Sequence, residues 1–395
     1  MRVVVCGGGT GGHVYPALAA VAELRRFGVD ADEIMWIGTE DQMEETLVPR
    51  AGLKLETIGG GPIVGVPLWT KLVNGVRLAW SMEKVGRLLR RFRPRVLLMT
   101  GGYVNVPVAL VARAMRLPAA IYLPDVEPGS AIRFLSRFAD KVACTAAASR
   151  AYFPHEKVVV TGYPVRPELR AARALSKEEA LAAFELAPER RTLFVFGGSR
   201  GARSINRALA GILPMLLPEF QVIHISGSLD WAEVQANATG LPAELRAYYR
   251  PYPYLHERMG SAFRAADLVV ARAGASMLGE APAFGLPSIL VPYPHAWRYQ
   301  KVNADFLAGR GAAIRLDDDK LAQELLPTVQ GLLRDPQRLA AMGAAVTTLD
   351  RPRAAEDLAQ LLLVLGGKSA QGPTSPENHP AHVVRPAPEK EEVRD

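Results

Sequence analysis

Val3-Val4-Val5-Cys6-Gly7-Gly8-Gly9-Thr10-Gly11-Gly12-His13 is a short apolar run that stops in a glycine turn and hands over to a helix. The same design recurs twice. Val96-Leu97-Leu98-Met99-Thr100 leads into Gly101-Gly102-Tyr103, and Leu193-Phe194-Val195-Phe196 leads into Gly197-Gly198-Ser199-Arg200-Gly201-Ala202. Glycine lets backbone N–H groups approach a ligand closely, and a helix N-terminus adds partial positive charge. Each turn therefore suits a phosphate. Two turns fall in the first half of the chain and one in the second, which points to two phosphate-bearing ligands facing each other.

The pattern around these turns alternates. In the first half, a helix running to about Arg26 is followed by a strand at 34–38 and a helix near 43–51. A basic amphipathic stretch and the strand at 96–100 come next. A helix near 107–115, a strand at 119–123, a helix over 130–139 and strands at 141–145 and 158–161 complete that half. Such alternation implies parallel strands with helices on both faces. Gly162-Tyr163-Pro164-Val165-Arg166-Pro167 reads as a hinge, because the prolines force extended backbone. A polar helical segment at 176–184 follows it. The second half repeats the theme, with strands at 193–196, 221–226, 268–271, 288–291 and 313–315. Helices fit 204–217, 276–284, 301–308 and 320–333. The expected division is 1–162, a linker over 163–190, a second domain over 191–349, a terminal helix over 350–365 and a disordered tail over 366–395.

At 395 residues the chain suits two domains rather than one core. Hydrophobic residues are 49% of it, and no run reaches the length needed to cross a bilayer. The first strand begins at once, which leaves no room for a signal peptide, and the expected compartment is cytoplasmic. Cys6 and Cys144 lie far apart in apolar runs and read as buried free thiols. The formal charge is +7; the tail from Gly366 has four bases and five acids, so the folded part carries about +8 and suits an anionic partner. No nucleic-acid-binding motif is present.

Several residues carry chemistry. Gly7 to Gly12 satisfies G-x-G-x-x-G, but no acid ends the second strand at the spacing a nicotinamide dinucleotide needs, and Glu40 comes late. No Gly-Lys-[Ser/Thr] follows, which excludes a Walker A loop. His13 begins a helix, where the positive end lowers its pKa and favours the neutral base; read alone it is a general base or a turn histidine. Glu280 lies one turn inside a helix after Arg272-Ala273-Gly274-Ala275. It can accept two hydrogen bonds from a ribose diol, or simply complement the dipole. Asp317-Asp318-Asp319 contains D-x-D but reads as a solvated turn rather than a metal site. Between Val64 and Arg95, Leu68, Trp69, Leu72 and Val76 with Lys71 and Arg77 have the makings of an interfacial membrane contact. Val85, Leu88, Leu89 and Phe92 read as the face packed on the sheet.

Together the motifs resemble the MurG family, glycosyltransferase family 28. The resemblance rests on Gly8-Gly9-Thr10-Gly11-Gly12-His13-Val14-Tyr15-Pro16, Gly101-Gly102-Tyr103-Val104 and Gly162-Tyr163-Pro164-Val165-Arg166. It continues through Gly197-Gly198-Ser199-Arg200-Gly201-Ala202-Arg203, Arg272-Ala273-Gly274-Ala275, Glu280 and Gln300-Lys301-Val302-Asn303-Ala304. It runs in order from about Arg2 to Leu365.

The resemblance implies a GT-B fold, two Rossmann-like doubly wound parallel-sheet domains facing across a cleft. It implies inverting transfer of N-acetylglucosamine from UDP-GlcNAc to the C4 hydroxyl of lipid I, an undecaprenyl-diphosphate muramyl pentapeptide. The product is lipid II for peptidoglycan, made on the cytoplasmic face of the inner membrane without cofactor or catalytic metal. Implied partners are UDP-GlcNAc, lipid I, anionic inner-membrane lipids and other cell-wall synthesis proteins, with a bearing on cell shape and division. Alternatives are a GT-B transferase with another lipid or glycoside acceptor, a nicotinamide-dependent oxidoreductase, or a non-catalytic UDP-sugar-binding protein.

By the same resemblance, Gly197, Gly198 and Ser199 hold the UDP phosphates and Arg166 approaches the nucleotide. Leu255 and His256 read the uracil, Met259 packs nearby and Glu280 holds the ribose. Thr10, Gly11 and Gly12 join the donor site, while Ala275, Gln300 and Asn303 hold the sugar. Gly11, Gly12, Gly101, Gly102 and Tyr103 take the acceptor diphosphate. His13 is the base, with Tyr103 and Asp125 as further catalytic candidates. Two departures stand out. Tyr122-Leu123-Pro124-Asp125 replaces the usual His-Glu-Gln-Asn, and Trp297 and Tyr299 stand where relatives carry an acid or amide.

Overall fold

The computed structural model describes residues 1–9, 11–40, 42–59, 68–198, 201–296 and 298–368, with the backbone alone along 68–78. Seven parallel strands form the front sheet: β1 Val3–Cys6, β2 Ile34–Gly38, β3 Lys54–Thr57, β4 Val96–Met99, β5 Ala119–Leu123, β6 Lys141–Cys144 and β7 Val158–Val160. Their spatial order is β3-β2-β1-β4-β5-β6-β7. Six parallel strands form the rear sheet: β8 Thr192–Phe196, β9 Gln221–Ile225, β10 Tyr249–Tyr252, β11 Leu268–Arg272, β12 Ser288–Val291 and β13 Ala313–Arg315. Their order is β10-β9-β8-β11-β12-β13.

Strand side chains alternate between faces, and both faces are covered. In the front lobe Val4, Cys6, Met35, Ile37, Leu97 and Met99 meet Val85, Leu89 and Val108. Val3, Val5, Trp36 and Leu98 meet Val14, Ala17, Val21 and Leu24 on the opposite side. The rear lobe repeats this, with Phe194 and Phe196 facing Phe263, and Leu193 and Val195 facing Ile205 and Leu209. Buried on both faces, such strands read as unbroken apolar runs, which makes them legible from sequence. Cys6 and Cys144 are buried free thiols, and burial pushes Cys144 up to about 12.

Strand order places the glycine turns. In an open parallel sheet the ligand crevice lies beyond the carboxyl ends of the strands, where the order reverses. The front sheet reverses between β1 and β4, whose ends carry Gly7–Gly12 and Gly101–Tyr103. The rear sheet reverses between β8 and β11, whose ends carry Gly197–Ala202 and Ala273–Ser276.

Some elements differ from the sequence reading. The strand Lys54–Thr57 is polar and half exposed at a sheet edge, so it shows no apolar run. The strand Tyr249–Tyr252 contains Pro251, which only an edge strand tolerates. The helices Trp231–Gly240, Met259–Ala265 and Pro336–Thr347 are further additions. The helix expected over 130–139 ends at Leu135, and the Ser136 hydroxyl bonds back to the Arg133 carbonyl at 2.9 Å. Residues 366–368, expected to open a disordered tail, are ordered against the last helix. Gly367, at φ 79°, lets Lys368 N–H bond to Leu363 C=O at 3.0 Å, so 366–368 form the cap of the last helix. Residues 369–395 lie outside the described residues.

The segment 163–190 is packed rather than loose. Tyr163, Val165, Leu169, Leu181 and Phe184 join the rear core. The chain crosses between the lobes twice, at adjacent points. Gly162, at φ 89°, lies against Arg351 and Ala354, and Arg170 pairs with Asp350 at 3.0 Å. The returning helix Ala354–Leu365 then packs on the front lobe, where Leu358 and Leu362 join the cluster around Val14 and Val21.

Candidate functional site

The front turn is held from behind by a buried carboxylate. Glu44 accepts from Gly9 N–H at 3.0 Å and from the Thr39 N–H and hydroxyl at 3.0 and 2.8 Å. A Cβ at Gly8 would overlap that carboxylate, so close approach requires glycine there. Trp36 Nε1–H ties the Gly7 carbonyl at 2.8 Å. Sequence reasoning misses both Glu44 and Trp36, because nothing local marks a residue whose partner is a distant backbone group.

His13 follows in the first turn of the helix Gly11–Arg26. Its Nδ1 lies 3.3 Å from the Gly8 carbonyl. A carbonyl only accepts, so the neutral ring carries its proton on Nδ1 and keeps Nε2 as the basic nitrogen. A Cβ at Gly101 would stand 3.0 Å from Nε2. The second glycine turn therefore borders the basic nitrogen and needs glycine to do so. Gly101 and Gly102 have φ of 111° and 91°, and Asn105 Nδ2–H donates to both of their carbonyls. The His13 pKa lies below the ordinary 6.5, first because of burial, with the Gly8 carbonyl and Glu44 pulling it back up. The direction agrees with the sequence reading, but burial rather than the helix end is its main cause. Tyr103 is exposed at the same rim.

Asp125 projects from the end of β5 into the seam between the lobes. Asn303, from the rear lobe, donates Nδ2–H to Asp125 Oδ1 at 2.7 Å and to the Ala273 carbonyl at 3.1 Å. Its Oδ1 accepts from Val126 N–H at 3.0 Å. The Asn303 amide, expected on the sugar, here bridges the two lobes with both ends engaged. Beside it Glu127 pairs with Arg298 of the rear lobe at 2.8 Å and with Arg133 at 3.0 Å. Burial raises the Asp125 carboxyl to about 6, against the lowering effect of Asn303. Of the divergent segment only Asp125 reaches the cleft. Tyr122 and Leu123 are core, and Tyr122 Oη bonds to Thr145 at 2.7 Å and donates to the Gly162 carbonyl at 3.2 Å.

The residues expected to hold the nucleotide come from three regions. Arg166 lies over the Tyr15 ring at 4.3 Å, and its guanidinium stands 3.9 Å from Glu280. Tyr15 Oη lies 3.5 Å from Tyr254 Oη across the cleft. Glu280 is buried, which raises its pKa, while Arg166 and Ser276 lower it. This is a carboxylate already desolvated and oriented, as a diol ligand requires. In the turn after β8, which the sequence reading assigns to the phosphates, Gly198 has φ 98° and Gly201 has φ 77°. The helix Arg203–Leu216 begins after Ala202 with no side-chain cap, so its first amides face the turn. Ala275 sits in the turn before the helix Met277–Phe284, and Met259 opens the helix Met259–Ala265 behind Leu255. Gln300 Oε1 accepts from Tyr293 N–H at 2.9 Å.

The acidic run is not merely solvated. Asp317 pairs with Arg315 at 2.8 Å, while Asp318 pairs with Arg272 and accepts from the Ser204 hydroxyl at 2.7 Å. Among the described residues no group of three His, Cys, Asp or Glu side chains is placed to hold a metal. Thr10, Ser199 and Trp297 lie outside the described residues, as do the side chains of Leu68, Trp69, Lys71, Leu72, Val76 and Arg77.

Family models match both lobes: residues 3–144 match the glycosyltransferase family 28 N-terminal domain, and 192–358 the C-terminal domain. A UDP-N-acetylglucosamine--N-acetylmuramyl-(pentapeptide) pyrophosphoryl-undecaprenol N-acetylglucosamine transferase from Moorella thermoacetica is 40% identical, covering 92% of this chain and 98% of its own. The like-named protein of Roseiflexus sp. (strain RS-1) is 39% identical, over 92% and 95%. The crystal structure of Acinetobacter baumannii MurG aligns with a TM-score of 0.72 at 27% identity, over 92% and 99%. A UDP-GlcNAc 2-epimerase from Neisseria meningitidis, solved with UDP-GlcNAc, shares the fold with a TM-score of 0.64 at 14% identity, over 92% and 100%. With both lobes matched and near-full-length relatives at this identity, the chain belongs to glycosyltransferase family 28, in its MurG group.

Proposed function

We propose that this chain transfers N-acetylglucosamine from UDP-GlcNAc to the C4 hydroxyl of lipid I, with inversion at the anomeric carbon. The observation that carries the reading is the pairing of two sheet switch points, each ending in glycine turns, over a length shared with relatives bearing that activity. The rear turn Gly197–Ser199 receives the diphosphate, Glu280 the ribose hydroxyls, and Leu255, His256 and Met259 the uracil. Ala275, Gln300 and Asn303 face the sugar once the Asn303 bridge to Asp125 gives way. The front turns Gly11-Gly12 and Gly101-Gly102-Tyr103 take the acceptor diphosphate.

The reaction is a single displacement. The acceptor oxygen attacks the anomeric carbon as its bond to the diphosphate oxygen breaks. The hydroxyl proton passes to His13 Nε2, the nitrogen that the Gly8 carbonyl leaves basic. Negative charge grows on departing UDP, where the turn amides and helix end bind it more strongly than they bind the ground state. Asp125 is the alternative proton acceptor, since its carboxyl titrates near 6. These steps as proposed draw on no metal.

Membrane attachment is part of the same proposal, at the cytoplasmic face. No described helix is long and apolar enough to cross a bilayer. Trp80, on the helix Leu68–Phe92, is 73% exposed, and Arg90, Arg93, Arg95 and Arg116 line a cavity of about 610 Å³ at the amino ends of β4 and β5, the end of the front sheet opposite the glycine turns. An apolar and cationic surface of this kind suits anionic lipids. Roles in cell shape and division, and contacts with other cell-wall enzymes, follow from the product rather than from any residue.

The deciding experiment supplies UDP-GlcNAc with lipid I and measures UDP release. Release that depends on lipid I is the expected result. Turnover with a different lipid or glycoside alone would change the acceptor, and binding of NAD(P)H in place of UDP would overturn the donor as well.

A further inference from the structure

Behind the rear phosphate turn lies a closed chain of buried polar contacts that touches none of the residues assigned to the donor. Tyr249 Oη and His224 Nδ1 are 2.7 Å apart, and His224 Nε2 lies 3.0 Å from Asn206 Oδ1. Asn206 Nδ2–H donates to the Ser226 carbonyl and to Asp230 Oδ2, both at 2.9 Å. Asp230 Oδ1 accepts from Arg203 Nε–H at 2.9 Å. His224, Asn206 and Asp230 are all buried.

Only one protonation pattern satisfies the chain. The amide nitrogen of Asn206 must face two acceptors, so its oxygen faces the ring, and the ring must donate from Nε2. Nδ1 then accepts from Tyr249. The ring is thereby the neutral tautomer, which burial enforces by lowering its pKa to about 3. A buried network with every member satisfied is rigid, and it allows one arrangement.

That arrangement joins the two halves of the donor site. Asn206 sits in the first turns of the helix that leaves the phosphate turn. The Ser226 carbonyl that it holds at the end of β9 is the group against which Gly201 packs, so closely that a Cβ there would overlap the oxygen. Ser226 N–H in turn bonds to the Tyr252 carbonyl at 3.0 Å, at the end of β10. From Tyr252 the chain runs directly into 253–258, which holds Leu255 and His256. Asn206 therefore fixes the phosphate turn against the strand end that leads to the base-reading loop.

We propose that Asn206 is a positioning residue for the donor nucleotide, holding the diphosphate turn and the uracil loop in register through the Ser226 carbonyl, with His224 fixing its amide. The inference rests on the donor assignment made above. It requires no contact between Asn206 and the ligand.

The test uses the full chain. UDP affinity is measured by calorimetry, and donor and acceptor KM by UDP release. Asn206→Ala raises the UDP Kd and the donor KM about tenfold or more, since a buried carbonyl and carboxylate lose a donor. The acceptor KM stays unchanged, whereas kcat falls along with donor affinity, because the displaced turn amides also stabilise the departing diphosphate. His224→Gln, which can still donate to Asn206, keeps the donor KM, whereas His224→Leu raises it. Gly201→Ala, which breaks the same junction from the other side, reproduces the donor defect. Should Asn206→Ala not fold, His224→Leu and Gly201→Ala carry the comparison. Folded variants with unchanged donor KM would overturn the proposal, and so would equal rises in donor and acceptor KM. A wild-type chain that binds no UDP would instead remove the donor assignment itself.

Discussion

Replacing Asp125 by asparagine should stabilise this protein at neutral pH. Burial between the lobes raises the Asp125 carboxyl from 3.8 to about 6. A carboxyl whose folded pKa exceeds its unfolded one binds its proton more tightly when folded. Its stabilising effect is present below about pH 4 and is lost as pH rises through 6. Roughly two pKa units at about 1.4 kcal/mol each set an upper bound near 3 kcal/mol on the cost of the charge above pH 6. Asparagine removes the charge and retains an Oδ1 that can accept from Asn303 Nδ2–H, now 2.7 Å from the carboxylate. Urea midpoints measured from pH 4 to 8 should show Asp125→Asn gaining about 1–3 kcal/mol over wild type at pH 8, with the gain vanishing toward pH 4. A destabilised variant at pH 8, or a difference independent of pH, would refute the reasoning. Turnover of the same variant separates the two candidate bases. If Asp125 is the base, the stabilised variant is inactive; if His13 is, it turns over and loses any limb near pH 6.

Three further outcomes follow from the site. His13→Ala should lower kcat by about 10²–10⁴-fold, the usual reach of a general base, while leaving UDP affinity intact; equal loss of both would mark a turn histidine. Glu280→Ala should weaken UDP binding by about 1–3 kcal/mol in calorimetry, and unchanged affinity would remove the ribose assignment. Trp69→Glu with Leu72→Glu should reduce sedimentation with anionic vesicles at an unchanged melting temperature, and undiminished binding would move the membrane contact elsewhere.

Much of the site is legible in the sequence because its chemistry is local. Gly101 and Gly198 stand at positive φ beside strand ends, and such positions announce themselves as glycine after an apolar run. His13 and Glu280 each lie within one turn of such a motif. Glu44, Asn206 and His224 are not legible, because each acts through a backbone group or side chain at least 18 residues away. The edge strands Lys54–Thr57 and Tyr249–Tyr252 escape a sequence reading because a strand with one neighbour tolerates polar residues and proline.

By itself the amino-acid order determined the alternating α/β architecture, the glycine turns at the strand ends and the helix starts that carry His13 and Glu280, since apolar runs, turn chemistry and helix starts are properties of neighbours along the chain. Only the tertiary structure decided that the last helix returns to the front lobe, that the two crossings touch at Gly162 and Arg351, and that Asn303 bridges to Asp125. Those contacts join residues from about 180 to about 350 positions apart, and no local pattern encodes which distant partner a buried group will find.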